Sequence, residues 1–506
     1  MAKVCLCLTA STIERNLEIL NKYRNYTDIA ELRADCLEPD ERLAIRHFPR
    51  LAGIPTILTV RRDIDGGCFS GGEGARIKML ARGLAYAEAD SRLNFAYVDI
   101  EEDLRVPSLE EAARAFGTRI ISSYHNIHGT HSNIPAKIKS MQRAGDELIK
   151  IAVTVKSTAD ALNVFRASKV FPNQDIVLIC MGHYGVFNRI LAERFGSSIC
   201  YTSALNESKT AAPGQIDVKE LIELYRFNKI NKNTKVYGAL GNPLRASFNP
   251  RFFNAIFALE DIDAVYVPFP ADSIDDFMEL AGELEVQGFS VEAPYNEAVL
   301  SWLNSPDFGY LQTIGSCNTM SRSQGKWFGD NTGVAGFSQS ILKFLGKKDL
   351  KRQKITIIGA GSAARTVAAG VSRLGGKALI LNRTPYKARS IALLYDFSWG
   401  GLDSQGFELI RKYSDIIIQT TSAEAETEGN VNANLFMEYA FTGKEAVMDL
   451  VCKPKVTAFL ERAAAAGCRT INGHDMFMRQ ACLQYTCFTG KEVPQKHLRT
   501  VKLDGG

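Results

Sequence analysis

Eight short apolar runs alternate with amphipathic stretches over about the first 220 residues of this chain. The runs are 4–8, 28–33, 56–61, 95–101, 119–125, 148–153, 176–181 and 198–202. Helix-like segments fall between them at 41–48, 75–89, 109–116, 134–144, 159–168 and 187–195. Strand–helix alternation repeated eight times predicts a closed (β/α)8 TIM barrel. An open doubly wound sheet is the alternative, but the count of eight favours closure.

In such a barrel the chemistry lies where the strands end, at the C-terminal face. Glu31 and Arg33 are two apart on the second run and share one face. Arg61 ends the third run, Asp99 and Glu101 lie on the fourth, and His125 ends the fifth. Lys150 sits inside the sixth with aliphatic neighbours, and Arg189 follows the seventh. A lysine in a low-dielectric site tends to become a nucleophilic amine. A nearby imidazole can move protons near neutral pH. Taken alone, these two residues read more readily as a snorkelling lysine and a satisfied histidine. The convergence of lysine, histidine, arginines and carboxylates on one mouth reverses that weighting.

The 506 residues are too many for one ordinary core, so two or three domains are expected. A net charge of +4 with no basic block excludes a nucleic-acid binder of the usual kind. No run approaches the 18 or so apolar residues of a membrane span, and the N-terminus lacks a cleavage pattern. Eleven scattered cysteines without a CxxC pair argue against a zinc ribbon or dithiol site, so no metal is expected. Reduced thiols and a cytoplasmic setting follow.

The barrel region resembles a known family. ELRAD (Glu31, Arg33), Arg61 with Asp65-Gly-Gly, SYH with His125, KIAV with Lys150, MG…NR with Arg189 and APGQ with Gln215 occur in order. Together they resemble type I 3-dehydroquinate dehydratase over residues 1–222. The resemblance implies a Schiff base on Lys150, with His125 as general acid and base and Glu31 orienting His125. It further implies that Arg189 and Gln215 hold the substrate carboxylate and hydroxyls, that Arg33 and Arg61 add positive potential, and that Asp65 is a peripheral binding position. No cofactor is implied for the barrel. Asp65 stands where a glutamate is common in that family, and Ala211 where a serine often sits.

Around 225–234 the composition turns polar and basic, as in a linker. A small α/β lobe is expected at 235–335. Then Ile355-Thr-Ile-Ile runs into Gly359-Ala-Gly361-Ser362-Ala363-Ala364. A strand feeding glycines and an alanine-rich helix is the context of a dinucleotide fingerprint. The next strand ends in Asn382-Arg383-Thr384 with Lys387 close by, and no acidic residue for a ribose hydroxyl. Arginine and threonine suit a 2′-phosphate, which favours NADP over NAD.

This half resembles shikimate dehydrogenase through Gly241-Asn-Pro, Asn318-Thr319, GDNT, GAGSAAR, NRT, TTS and NGHDMFMRQ. The resemblance implies a Rossmann NADP-binding lobe at 336–475 and a substrate lobe at 235–335 completed by helices at about 476–495. Ser247, Asn318 and Gln480 are the retained substrate-side positions. The family's catalytic lysine position is Asn296 and its aspartate position is Gly333, while Glu292, Asn249 and Cys452 replace other family residues. Asparagine does not titrate near neutral pH and glycine has no side chain. Losing both acid–base groups is expected to leave little of the family's reaction.

The expectation is therefore a barrel dehydratase fused to a dehydrogenase-like region, acting on small carboxylates, with no nucleic-acid or membrane partner. For the second half three alternatives stand beside a strongly weakened enzyme. They are full bifunctionality, a dehydrogenase of another polyol acid, and a non-catalytic dinucleotide-binding scaffold.

Overall fold

A computed structural model describes residues 1–85, 90–143, 146–172, 174–207, 209–244, 248–304, 308–421 and 439–501. The chain divides into two compact units, one from Met1 to Val286 and the other from Gln287 to Lys502.

The first unit holds the eight strands at the positions the apolar runs predict. They are β1 (Lys3–Leu8), β2 (Ile29–Arg33), β3 (Thr56–Thr59), β4 (Tyr97–Glu101), β5 (Arg119–Asn126), β6 (Leu148–Thr154), β7 (Ile176–Met181) and β8 (Ile199–Ser203). All are parallel, in the order β7-β6-β5-β4-β3-β2-β1-β8. The seam between β7 and β8 is bridged where the strands begin. Ser198 N donates to the Ile176 carbonyl at 2.9 Å, and Leu178 N donates to Ser197 Oγ at 2.9 Å. A (β/α)8 barrel results, closed through seven ladders and one short seam. Alternate residues of each strand point inward. Cys5, Ile29, Ile57, Ile121, Leu148 and Val177 fill the interior below the mouth.

Several helices differ from their sequence-based bounds. The stretch 41–48 forms two 3-10 turns, Glu41–Leu43 and Ile45–His47, before a short helix at Phe48–Ala52. Pro49 explains this, because it fits a first helical turn but not a helix interior. The helix Ile13–Tyr23, capped by Thr12, is not among the expected segments. Its buried positions, Ile13, Asn16, Ile19, Leu20 and Tyr23, recur at helical spacing, so the sequence does carry its signal. The presumed linker is packed, with Phe227 and Ile230 buried.

The same unit contains β9 (Lys235–Gly241) and β10 (Ala264–Pro270), paired in parallel. They are joined to the barrel's flank by Thr158 with Asp272, and by Arg166 and Lys169 with Glu279 and Glu283.

In the second unit β11 (Val286–Val291), β12 (Thr319–Ser323) and β13 (Lys326–Asp330) form an antiparallel meander. Six further strands follow. They are β14 (Lys354–Ile358), β15 (Lys377–Asn382), β16 (Ser398–Gly401), β17 (Ile416–Gln419), β18 (Ala446–Asp449) and β19 (Arg469–Ile471). Their order, β16-β15-β14-β17-β18-β19, is all parallel. That is the doubly wound 3-2-1-4-5-6 order of a Rossmann sheet. The helix His474–Thr489 packs on the helix Thr332–Leu345 and on β12. No helix among the described residues is long and apolar enough to cross a membrane.

Candidate active site

A small pocket opens at the C-terminal mouth of the barrel. Glu31, Arg33, Arg61, Asp65, His125, Lys150, Arg189 and Gln215 all line it. Register explains part of the convergence. Thr59 faces Asp99 across β3–β4, Ser123 faces Lys150 across β5–β6, and a hydrogen bond from Ser123 Oγ to Asp99 Oδ1 links the two pairs.

Lys150 is buried among acceptors. Its Nζ lies 3.0 Å from Asp99 Oδ2 and 3.7 Å from Glu31 Oε1, and 3.9 Å from the centre of the Tyr201 ring. Asp99 also pairs with Arg61 at 2.8 Å and accepts from Ser123. Burial opposes ionisation of Asp99. Arg61 and then Lys150 outweigh it and hold the carboxyl well below the usual range. The sequence places Asp99 on the fourth strand at the mouth and assigns it no role. What identifies it is proximity to Lys150, which appears only when β4 and β6 are brought together.

His125 has the opposite environment. Burial, then Arg61, then Lys150 push its pKa well below the ordinary imidazole value, although Asp99 opposes them. Its Nδ1 is buried without a hydrogen-bond partner. The expected Glu31–His125 hydrogen bond is not formed. Glu31 instead accepts from Thr59 Oγ1 at 2.8 Å and stands beside Lys150. Carboxylate support thus goes to the amine, because β2 meets β3 through Thr59 while His125 lies two positions beyond Ser123, higher on β5.

The arginines divide into two kinds. Arg33 is held by both oxygens of Asp35, at 3.0 and 2.7 Å. Arg61 is held by Asp99 and by Glu101, the latter at 2.5 Å. Their charge is largely compensated, so they add less positive potential than expected. Arg189 has no carboxylate partner among the described residues. Its Nε donates to Gly214 O at 2.9 Å and its Nη1 to Tyr201 O at 3.1 Å, while Nη2 is buried and unpaired. Burial pushes its pKa down from the ordinary value, a cost that a bound anion would offset. Gln215 Oε1 accepts from Ala211 N and Ala212 N at 3.0 and 3.3 Å and shapes the loop. Asp65 is engaged by Arg62 at 2.6 Å.

Replacing Asp99 by asparagine should cost about 3–5 kcal/mol, since it breaks a buried pair and leaves two cations short of a partner. The full difference from wild type is expected at neutral pH. Because the folded pKa is depressed, the difference should shrink only as pH falls below about 4. Denaturant midpoints at several pH values measure it.

In the second unit, β14 runs into Gly359, whose φ is +111° and where a Cβ would lie 2.4 Å from Thr420 Oγ1. Gly361 caps the helix Ser362–Arg373, and nothing lies within 4 Å of an added Cβ there. Open space at a helix N-terminus is where a pyrophosphate fits. Ser362 and Ala363 open that helix, and Ser362 Oγ meets Ser316 Oγ at 2.8 Å. Asn382 Nδ2 donates to Thr384 O at 3.0 Å, and Arg383 and Lys387 are exposed beside it. Ser247 and Ser422 lie outside the described residues. Asn318 Oδ1 accepts from Thr319 Oγ1 at 2.8 Å and Thr332 N at 3.0 Å. Gln480 Oε1 and Asn318 Nδ2 both border Gly333. Asn296 is buried and donates to Val291 O at 2.7 Å and Cys317 O at 3.3 Å, so its side chain ties down its own loop.

Family models match three consecutive stretches. They are type I 3-dehydroquinase at residues 4–232, the shikimate dehydrogenase substrate binding domain at 239–320, and shikimate/quinate 5-dehydrogenase at 341–451. A shikimate dehydrogenase (NADP(+)) of Pyrococcus furiosus is 31% identical, covering 54% of this chain and 97% of that enzyme. The chloroplastic bifunctional 3-dehydroquinate dehydratase/shikimate dehydrogenase of Arabidopsis thaliana is 28% identical over 97% of this chain and 83% of its own length.

The chain belongs to the fused 3-dehydroquinate dehydratase/shikimate dehydrogenase family.

A shikimate biosynthesis protein of Chlamydia pneumoniae, 27% identical over 78% of this chain and 79% of its own length, is a further relative. Membership in this family places the chain among shikimate-pathway dehydratase/dehydrogenase fusions.

Proposed function

We propose that the barrel dehydrates 3-dehydroquinate to 3-dehydroshikimate through a Schiff base on Lys150. The observation that carries this reading is one cavity lined by a buried amine, an unpartnered imidazole and an arginine without a counter-charge. Arg189, with Gln215 beside it, holds the substrate carboxylate. Lys150 Nζ adds to the ring ketone, and loss of water leaves an iminium. His125, kept neutral by its surroundings, removes the proton from the adjacent carbon. The electron pair moves into the carbon–nitrogen system and returns as the β-hydroxyl leaves. His125 gives its proton to that hydroxyl, which departs as water, and hydrolysis frees Lys150. Asp99 and Glu31 hold the amine in place, and the Tyr201 ring faces it.

Since the His125 pKa is depressed, the base form persists below the usual imidazole range. The acid limb of kcat/KM should therefore fall below about pH 6.5. A limb centred at or above that value would remove His125 as the base. His125→Ala should lower kcat by about 10²–10⁴-fold.

For the second unit we infer an NADP-binding fold in which shikimate oxidation is strongly weakened. Gly359, Gly361, Ser362 and Ala363 would receive the pyrophosphate, with Asn382, Arg383, Thr384 and Lys387 at the 2′-phosphate. When bound, the nicotinamide supplies hydride transfer. The chain's own part is to move the hydroxyl proton, and neither Asn296 nor Gly333 offers a titratable group for it. We place the functional boundaries at 222 and 235, and again near 335 and 475. Eleven free thiols suit a reducing cytoplasmic setting.

The test is to supply the whole chain with 3-dehydroquinate, with and without NADPH. Dehydroshikimate should accumulate in both cases, without conversion to shikimate. Shikimate at a comparable rate would favour full bifunctionality. Turnover of another polyol acid with NADP would favour a changed substrate.

A further inference from the structure

Outside the catalytic side chains, the barrel mouth carries two thiols in contact. Cys36 lies in the 3-10 turn Ala34–Cys36 directly after β2, and Cys68 in the loop after β3. Their sulfurs are 3.4 Å apart. Cys36 is half-buried and Cys68 is exposed. The surrounding contacts hold the two segments together. Cys68 N donates to Asp35 Oδ2 at 2.9 Å, and Asp35 grips Arg33. Phe69 N donates to the Arg61 carbonyl at 3.1 Å. The Cys68 loop also carries Asp65 and Gly66, which line the cavity.

We propose that Cys36 and Cys68 form a redox modification site, closing to a disulfide by exchange with a low-molecular-weight disulfide such as oxidised glutathione. Bond formation needs the sulfurs to approach by about 1.4 Å, a shift an exposed loop can make. Cys68 meets the reagent first because it is exposed. Its thiolate attacks one sulfur of the small disulfide, that S–S bond breaks, and one small thiolate leaves. The Cys36 thiolate then attacks the Cys68 sulfur and displaces the second. The two cysteines lose two protons and two electrons, and the small disulfide is reduced to two thiols. Burial, then Asp35, raise the Cys36 thiol, which suits it to the second step rather than the first.

Asp35, Cys36 and Cys68 could also be read as metal ligands. Both Asp35 oxygens are already engaged by Arg33, however, and an ion would have to displace a buried guanidinium. The disulfide makes no such demand. It fastens the loop bearing Asp65 to the strand end bearing Arg33, and so stiffens the rim through which substrate enters.

The purified full-length chain is equilibrated in glutathione buffers, quenched with an alkylating agent, digested and analysed by mass spectrometry. A linked Cys36–Cys68 peptide is expected, reversed by dithiothreitol and absent in Cys68→Ser and Cys36→Ala. The proposal is overturned if both thiols stay alkylatable, or if Cys68 stops at the mixed disulfide. It is equally overturned if zinc protects the pair from alkylation and a chelator restores it. In a second readout the oxidised wild type shows a raised KM for 3-dehydroquinate with kcat nearly kept, and Cys68→Ser shows no response to oxidant. That readout rests on the dehydratase reading. The thiol readout does not, so the two can fail separately. A disulfide that leaves KM unchanged would overturn the link to the rim.

Discussion

Lys150→Ala is expected to abolish dehydration, with kcat falling on the order of 10⁴–10⁶-fold. No other amine lines the cavity among the described residues, so nothing can replace the covalent step. Borohydride added during turnover of 3-dehydroquinate should fix the iminium as a secondary amine on the β6 peptide of the wild type and on no peptide of the variant. Folding needs a control, because Lys150 balances Asp99 and touches the Glu31 carboxylate. Lys150→Met keeps most of the side chain's volume. Asp99 retains Arg61, and Glu31 retains Thr59, so this variant should stay folded while equally inactive. Dehydration at the wild-type rate in either variant, or an adduct mapped elsewhere, would exclude the mechanism.

The barrel was legible because its signal is repetitive. Each strand is a run of aliphatic residues that has to be buried on both faces, and eight such runs leave few topologies. The mouth residues were legible for the same reason: Glu31, Arg61, His125 and Lys150 lie at or near strand C-termini, where a barrel gathers them. Pairing was not legible. Whether Glu31 serves His125 or Lys150 depends on the height of each side chain above the sheet. Spacing along one strand carries no information about its neighbour's register. Asp99 shows the same limit, since its role appears only through contacts with Arg61 and Lys150 on other strands. In the second unit the glycines Gly359 and Gly361 could be read from their strand–turn–helix context. The crowding around Gly333 could not, because Thr366, Gln480 and Asn318 come from three distant stretches.

That crowding bears on the second large expected effect. Given shikimate and NADP⁺, the intact chain should form NADPH on the order of 10⁴-fold more slowly than a dehydrogenase with its acid–base couple. Restoring the couple by Asn296→Lys and Gly333→Asp should not be enough. At Gly333 an added Cβ would stand 2.9 Å from Thr366 Cγ2 and 3.1 Å from Gln480 Oε1. Thr366 cannot easily turn away. It is β-branched, it sits in the helix Ser362–Arg373, and its Oγ1 is hydrogen-bonded to Asn331. Overpacking of this kind costs about 1–3 kcal/mol. An aspartate in a first helical turn would gain only about 0.3–1 kcal/mol from the helix dipole, so the clash wins. Asn296→Lys adds a loss of about 1–3 kcal/mol by removing donors to Val291 O and Cys317 O. The double variant should therefore unfold at lower denaturant and remain inactive. Adding Thr366→Ser removes the obstructing methyl and keeps the hydroxyl for Asn331. Its denaturation midpoint should rise again, and shikimate oxidation should first exceed the intact chain's rate in this triple variant. Activity in the double variant at unchanged stability would show that the site around Gly333 is looser than its contacts imply.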